Sequence, residues 1–368
     1  MDTDTATLNP EQISVSDKPS YIPGLDGVRG VAALMIMFLH IIPNYNSPAH
    51  PFLSVLRKVA IIGQCGVPLF FVLSGFLITR ILLYTKNRPG YFKQFYIKRA
   101  LRIFPLYYLY LIINFFLIPL FSGQAVPDWS LTWSFYFYLQ NIAMTFNWKM
   151  VDIPHLWSLA VEEHFYLLWP IAIYFFSYKP TLKIIAGIII FSLLCRVYLI
   201  SIGIGTYYFT LTTFDSLAIG AFLAYNEKKQ WLNAKRMLQI AIIILIPMIV
   251  IFPLATGGGS NVVQYFKNPV ISVFCMAIIG LVSMKSYYIN RFFNNGFLKY
   301  TGKISYGLYV FHPTCYYFID KYLHLTNFGL DIVICFLGSY LVATLSYYLF
   351  EIHFLKLKGE NKLVRILI

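Results

Sequence analysis

Apolar residues run in long blocks along this chain, separated by short polar and charged intervals. A helix crosses a bilayer with about 20 mostly apolar residues. Ten blocks meet that length: 26–43, 61–83, 103–121, 156–177, 182–200, 210–226, 237–253, 268–284, 304–322 and 329–352. The pattern predicts an all-α polytopic integral membrane protein of about ten transmembrane helices. One further stretch, LTWSFYFYLQNIAMTF at 131–146, is apolar but short.

Charge decides its status. With the N-terminus inside, 23 of the 29 Lys and Arg fall on the cytoplasmic side. The outer six are Arg57, Lys58, Lys149, Arg196, Lys267 and Lys321. Cytoplasmic loops carry the excess of basic residues. Counting 131–146 as a span inverts every later loop and moves Lys179, Lys228 and Lys356 outside. The segment is therefore predicted to be re-entrant or interfacial, and both termini cytoplasmic. Residues 1–20 form a polar tail with no basic leader, so the first span acts as an uncleaved signal anchor. Residues 21–352 form one membrane domain, and 353–368 a basic cytoplasmic tail. The LATGGGSN stretch at 254–261 reads as a flexible outer loop.

Composition removes whole classes. The chain is 58% hydrophobic and 12% charged, against roughly 25% charged in soluble domains. A disordered chain, a collagen and an ordinary water-soluble enzyme are excluded. The net charge of +14 belongs to cytoplasmic loops facing the lipid bilayer, not to nucleic-acid binding. Cys65, Cys195, Cys275, Cys315 and Cys335 all lie in apolar stretches without CxxC or Cys/His spacing. They read as buried thiols, with no disulfide framework and no metal site.

Ionisable residues inside spans are costly and are functional candidates by default. Arg29 and His40 lie eleven residues apart, about three helical turns, so they share one face roughly 16 Å apart along the axis. Asp26 sits three residues before Arg29 and can pair with it. Ser158 and Glu162 are spaced i,i+4 in HLWSLAVEEHFYLLWP, with Glu163 and His164 next. Glu162 has two readings: it orients His40, or it pairs with Arg196 for architecture alone. Ser74, Asp215 and His312 are further polar groups in spans, and Pro313 should free backbone carbonyls beside His312. Gly66, Gly75 and Gly220 allow close helix approach. Lys93, Lys98, Arg99 and Arg102 cluster before the third span. They read either as topology signal and anionic-lipid contact, or as a site for a phosphate-bearing ligand whose base stacks on Tyr91, Phe95 or Tyr96.

Several of these stretches together resemble the membrane-bound acyltransferase family 3, from about Tyr21 to Phe350. GLDGVRGVAALMIMFLH resembles its Arg-x10-His signature through Arg29 and His40. GVPLFFVLSGFLI carries Ser74 and Gly75 of the second-helix motif. FYIKRALRIFPLYYL resembles the basic start of the third helix through Arg99, Arg102 and Pro105. WSLAVEEHFYLLWP resembles the Ser-x-x-x-Glu motif through Ser158 and Glu162. FDSLAIGA and ISYGLYVFHP fit later signatures. His164 departs from the pattern, where Gln is expected. No appended hydrolase-like domain is expected.

The resemblance implies transfer of an acyl group, acetyl by prior, from an acyl-CoA (acetyl-CoA) donor to a hydroxyl of a cell-surface glycan or similar acceptor. It implies a bacterial inner-membrane location. Arg29, Arg99, Arg102 and Lys98 would hold the donor's phosphates. His40 would be the general base, with Glu162 orienting it and Ser158 alongside. Ser74, Ser158 or Tyr166 would stabilise the oxyanion; Asp215 and His312 complete the expected pocket. A transporter or flippase of a sugar or lipid-linked substrate, using buried Arg, Glu and His for proton relay, is the rival reading. A non-catalytic anchor of a polysaccharide-synthesis complex is a second.

Overall fold

A computed structural model describes residues 19–41, 56, 59–227, 229, 231–256, 260–284, 286–323 and 327–357. The tail before residue 19, the triglycine at 257–259 and the basic tail beyond 357 lie outside the described residues.

The described residues form fourteen helices, a short 3-10 turn at Pro154–Leu156 and no strand. They are α1 (Gly24–Ile41), α2 (Ile61–Thr85), α3 (Tyr91–Ser122), α4 (Trp129–Tyr136), α5 (Gln140–Thr145), α6 (Trp157–Phe175) and α7 (Tyr178–Ser201). The remainder are α8 (Thr210–Asn226), α9 (Ala234–Thr256), α10 (Asn261–Ser283), α11 (Tyr287–Phe293), α12 (Gly296–Lys303), α13 (Ser305–Leu323) and α14 (Phe328–Leu357). Two of them, α3 and α14, pass through a π-helical turn, at Ile113–Leu117 and Tyr347–Glu351.

Among the described residues, seven helices are long and apolar enough to cross a membrane: α1, α2, α3, α7, α9 over Ala234–Ile251, α10 and α14. This is the build of a multi-pass membrane protein. Three further predicted spans, α6, α8 and α13, form helices of a different kind. α8 has 17 residues and all but Leu211 and Phe222 are buried. α6 carries Glu162, Glu163 and His164, and α13 carries His312, Asp320 and Lys321. A helix walled in by protein, as α8 is, has no need of an apolar surface all round; α6 and α13 bury only part of their surface and leave Leu167, Leu168 and Phe175, and Tyr317 and Tyr322, exposed. By contrast α9 exposes Ile242, Ile243, Ile246 and Ile249 along its flank, as a lipid-facing helix would.

Close packing sets the centre of the bundle. A Cβ on Gly75 of α2 would stand 2.0 Å from Leu217 O, and one on Gly220 of α8 would stand 2.0 Å from Val72 O. Only glycine at both places lets the two backbones touch. A Trp169–Thr79 hydrogen bond of 2.8 Å ties α6 to α2.

The 131–146 stretch is broken. α4 ends at Tyr136, Tyr138 takes a left-handed backbone (φ 57°), and α5 begins at Gln140. Neither piece is long enough to span. The hydroxyls of Tyr107 and Tyr108 on α3 donate to the carbonyls of Phe135 and Tyr136, at 2.8 and 3.0 Å. They satisfy the end of α4, whose last carbonyls have no helical partner.

Candidate active site

The arginines come together at one end of the bundle. Arg29 leaves α1 one turn after Asp26, and the two form an ion pair at 2.8 Å. Arg99 and Arg102 lie on α3, three residues apart and so on one face. All three line a cavity of about 110 Å³ between α1, α2, α3, α6 and α13. The same three arginines also line an adjoining cleft with Tyr21, Asp26 and Arg80, which makes them the collar between the two spaces. Arg99 stacks over the Phe95 and Tyr166 rings, at 5.9 and 5.5 Å. Lys98 is not part of this collar. It lines a third hollow with Tyr84, Arg88, Tyr91 and Phe95.

Beyond the collar the polar groups of the cavity wall are hydroxyls and one carboxylate, among them Ser74, Glu162, Tyr166, Ser158, Tyr306 and Tyr309, set among apolar side chains such as Phe70, Phe71 and Leu159. Ser74 and Tyr166 bond each other through their hydroxyls, and both face the Glu162 carboxylate. Arg99 and Arg102 supply the opposite charge to Glu162. Neighbouring Glu163 is half-buried, and its buried Oε1 has no hydrogen-bond partner among the described residues. Ser158 bonds the Tyr309 hydroxyl at 2.6 Å, and that hydroxyl also donates to the His155 carbonyl.

Imidazoles cluster behind Tyr309. His40 Nδ1 lies 2.9 Å from His312 Nε2, with the rings stacked at 5.0 Å. The His155 ring stands 5.8 Å from His312 and bonds the Val310 carbonyl at 3.1 Å. His312 is fully buried, whereas His40, one residue before the end of α1, is only partly so.

Three expectations change. First, the group on His40 Nδ1 is His312, not Glu162; Glu162 faces Ser74, Tyr166 and the arginines on another part of the wall. Second, Asp215 is not a pocket residue. It is wholly buried and ion-paired with Arg196, whose remaining N–H groups reach the carbonyls of Thr212 (2.6 Å) and Tyr265 (2.8 Å). The architectural partner of Arg196 is thus Asp215 rather than Glu162. Third, although Arg29 and His40 lie on one face of α1, only Arg29 lines the cavity; His40 is absent from its wall. Tyr309 stands between, its ring 6.2 Å from His312.

Three residues of this arrangement escaped the sequence reading. Tyr306 and Tyr309 were two tyrosines among 29. His155 lies just ahead of α6, outside the predicted span, although a histidine at the edge of an apolar block was a visible signal. His164, the departure from pattern, bonds Thr210 at 2.8 Å and ties α6 to α8. Among the described residues no group of three or more His, Cys, Asp and Glu is placed to hold a metal ion.

A charged collar, a cavity walled by hydroxyls and apolar side chains, and an imidazole cluster, all inside a helical bundle, make up the candidate site of a multi-pass membrane protein. The chain belongs to the acyltransferase family 3, whose acyltransferase-domain profile matches residues 22–348. It is 27% identical over 317 residues to the peptidoglycan O-acetyltransferase OatA of Listeria monocytogenes, covering 79% of this chain and 49% of that protein. It is 29% identical over 330 residues to the O-acetyltransferase OatA of Staphylococcus aureus, covering 83% and 52%. The chain thus spans about half the length of these curated relatives. No solved structure matches it.

Proposed function

We propose that this chain is a membrane O-acyltransferase. It moves an acyl group, acetyl in the simplest case, from a cytoplasmic acyl-CoA to a hydroxyl of a cell-surface glycan, with His40 as general base. The observation that carries the reading is the order of groups along the bundle: arginine collar, hydroxyl-lined cavity, Tyr309, then the histidines. A coenzyme A thioester presents phosphates first and its acyl carbon last, at the end of a thin arm, and so matches that order. The family and the names of its O-acetyltransferase relatives support the chemistry.

Arg29, Arg99 and Arg102 hold the phosphates through charge-assisted bonds. Lys98 attends from the neighbouring hollow. Ser158, whose hydroxyl bonds Tyr309 on the side of the histidines, donates to the oxyanion that forms on the thioester carbon; Ser74 and Tyr166, next to Arg99, hold the donor arm on its way there. Glu162 keeps those hydroxyls in place and balances the arginines. The acceptor hydroxyl reaches His40 from the partly exposed end of α1, opposite the collar. An unactivated sugar hydroxyl is a poor nucleophile, and a positioned base is worth about 10²–10⁴-fold.

The topology that goes with this reading has ten spans, both termini cytoplasmic, and 131–146 re-entrant, in the inner membrane of a bacterium. Residues 21–352 form the catalytic domain, flanked by tails 1–20 and 353–368. Purified protein in proteoliposomes, given labelled acetyl-CoA and muropeptides from an unacetylated wall, should transfer label. His40→Ala should fold to wild-type yield and transfer none. Wild-type protein that leaves acetyl-CoA intact while moving muropeptides across the bilayer would make it a transporter. Transfer by His40→Ala would remove His40 as base.

A further inference from the structure

We propose that His312 is a positioning residue that locks His40 in one tautomer, with hydrogen on Nδ1 and the basic lone pair on Nε2. The inference rests on the reading of His40 as general base and adds the device that aims it.

Pro313 has no backbone N–H, so the carbonyl four residues earlier in the helix, that of Tyr309, loses its partner. His312 Nδ1 lies 2.9 Å from that carbonyl and 2.9 Å from the carbonyl of Leu308. Carbonyl oxygens only accept, so Nδ1 of His312 carries a hydrogen. The titratable groups facing the His312 ring are His40, His155, Tyr309 and Tyr316, from α1, the segment before α6, and α13 itself. No carboxylate stands among these ring contacts to offset a charge, and a lone charge buried there is costly. The ring is therefore neutral, and its Nε2 has a lone pair. His40 Nδ1, at 2.9 Å from that nitrogen, must be the donor. A neutral imidazole has one N–H, which leaves Nε2 of His40 as the acceptor. Which nitrogen is basic is set by the bond the other makes.

The spacing of α1 and α13 keeps the pair in register. The Tyr316 hydroxyl of α13 reaches the Met37 carbonyl, one turn before His40, at 3.4 Å. In the transfer step, His40 Nε2 takes the proton of the acceptor hydroxyl as its oxygen bonds to the thioester carbon. The C–S bond then breaks, and the proton passes to the departing thiolate sulfur. Throughout, His40 Nδ1–H stays on His312 Nε2, so the ring cannot turn away between turnovers.

Two measurements decide it. Solid-state NMR of ¹⁵N-histidine protein in lipid, with signals assigned by His40→Gln and His312→Gln, should find both rings neutral and in the Nδ1–H tautomer at pH 7.5. An Nε2–H tautomer on His40 overturns the proposal, whatever the activity. In the acetyl-CoA assay, His312→Leu should lower kcat about 10²-fold and leave the donor KM within about two-fold. His312→Gln, whose amide oxygen can still accept from His40, should recover to within about tenfold of wild type. Gln as poor as Leu, or kcat and KM lost together, reduces His312 to a packing residue. If wild-type protein does not consume acetyl-CoA, the functional reading fails, and the tautomer measurement still decides the pairing.

Discussion

Two clusters of charge lie inside this bundle and are built on opposite principles. Arg196 and Asp215 are 1% and 0% exposed. The guanidinium is saturated by Asp215, Thr212 and Tyr265, and the second Asp215 oxygen accepts from the Ser216 backbone at 2.9 Å. The Arg99, Arg102 and Glu162 cluster instead lines open space and is bordered by Glu163, whose Oε1 has no hydrogen-bond partner among the described residues. Burial and charge are common to both. What separates architecture from candidate site is whether packing has left room beside the charges.

The largest test falls on the saturated cluster. Removing one partner of a buried ion pair costs about 3–5 kcal/mol. Asp215→Ala should therefore collapse the folded yield, read by thermal unfolding in detergent, while any folded fraction keeps its specific transfer rate. A stable Asp215→Ala that has lost transfer would dissolve the distinction. Glu162→Gln should behave in reverse. It keeps shape and folding, but weakens the hold on Ser74 and Tyr166, and kcat should fall about 10²-fold. A drop in unfolding temperature with unchanged kcat would move Glu162 into the architectural class.

The same contrast explains what the sequence could and could not reveal. Relations along one helix were legible, because helical geometry is local: the Asp26–Arg29 pair forms at the i,i+3 spacing that suggested it. The effect of Pro313 was legible for the same reason, since its freed carbonyl lies four residues back on the same helix. Relations between helices were not. A lone Asp215 reads alike whether it faces Arg196 or a ligand, and nothing in the spacing of Glu162 says that His312 will occupy His40 first. The sequence marks α6, α8 and α13 as apolar blocks like the rest. That α8 lies so deeply walled in follows only from packing such as the Gly75–Gly220 crossing.

Within the open cluster, Arg99 offers a finer cut. It sits on the collar shared by two cavities, so its proposed work is to bind the donor in ground and transition state alike. Arg99→Ala should raise the acetyl-CoA KM about tenfold, equivalent to about 1.4 kcal/mol, with kcat nearly unchanged. A fall in kcat at constant KM would place Arg99 with the chemistry instead.

Lys98 should give the smallest response, and for a geometric reason. It is one residue from Arg99 in sequence, yet successive side chains on a helix point about 100° apart, and Lys98 turns into the hollow of Tyr84, Arg88, Tyr91 and Phe95 rather than the collar. It is partly exposed, where single charge contacts are worth about 0–1 kcal/mol. Lys98→Ala should therefore raise the donor KM by no more than about two- to five-fold, and added salt should shrink the difference further because exposed charges are screened. A tenfold rise that persists at high salt would extend the phosphate-binding collar into the third hollow and make that hollow part of the donor site.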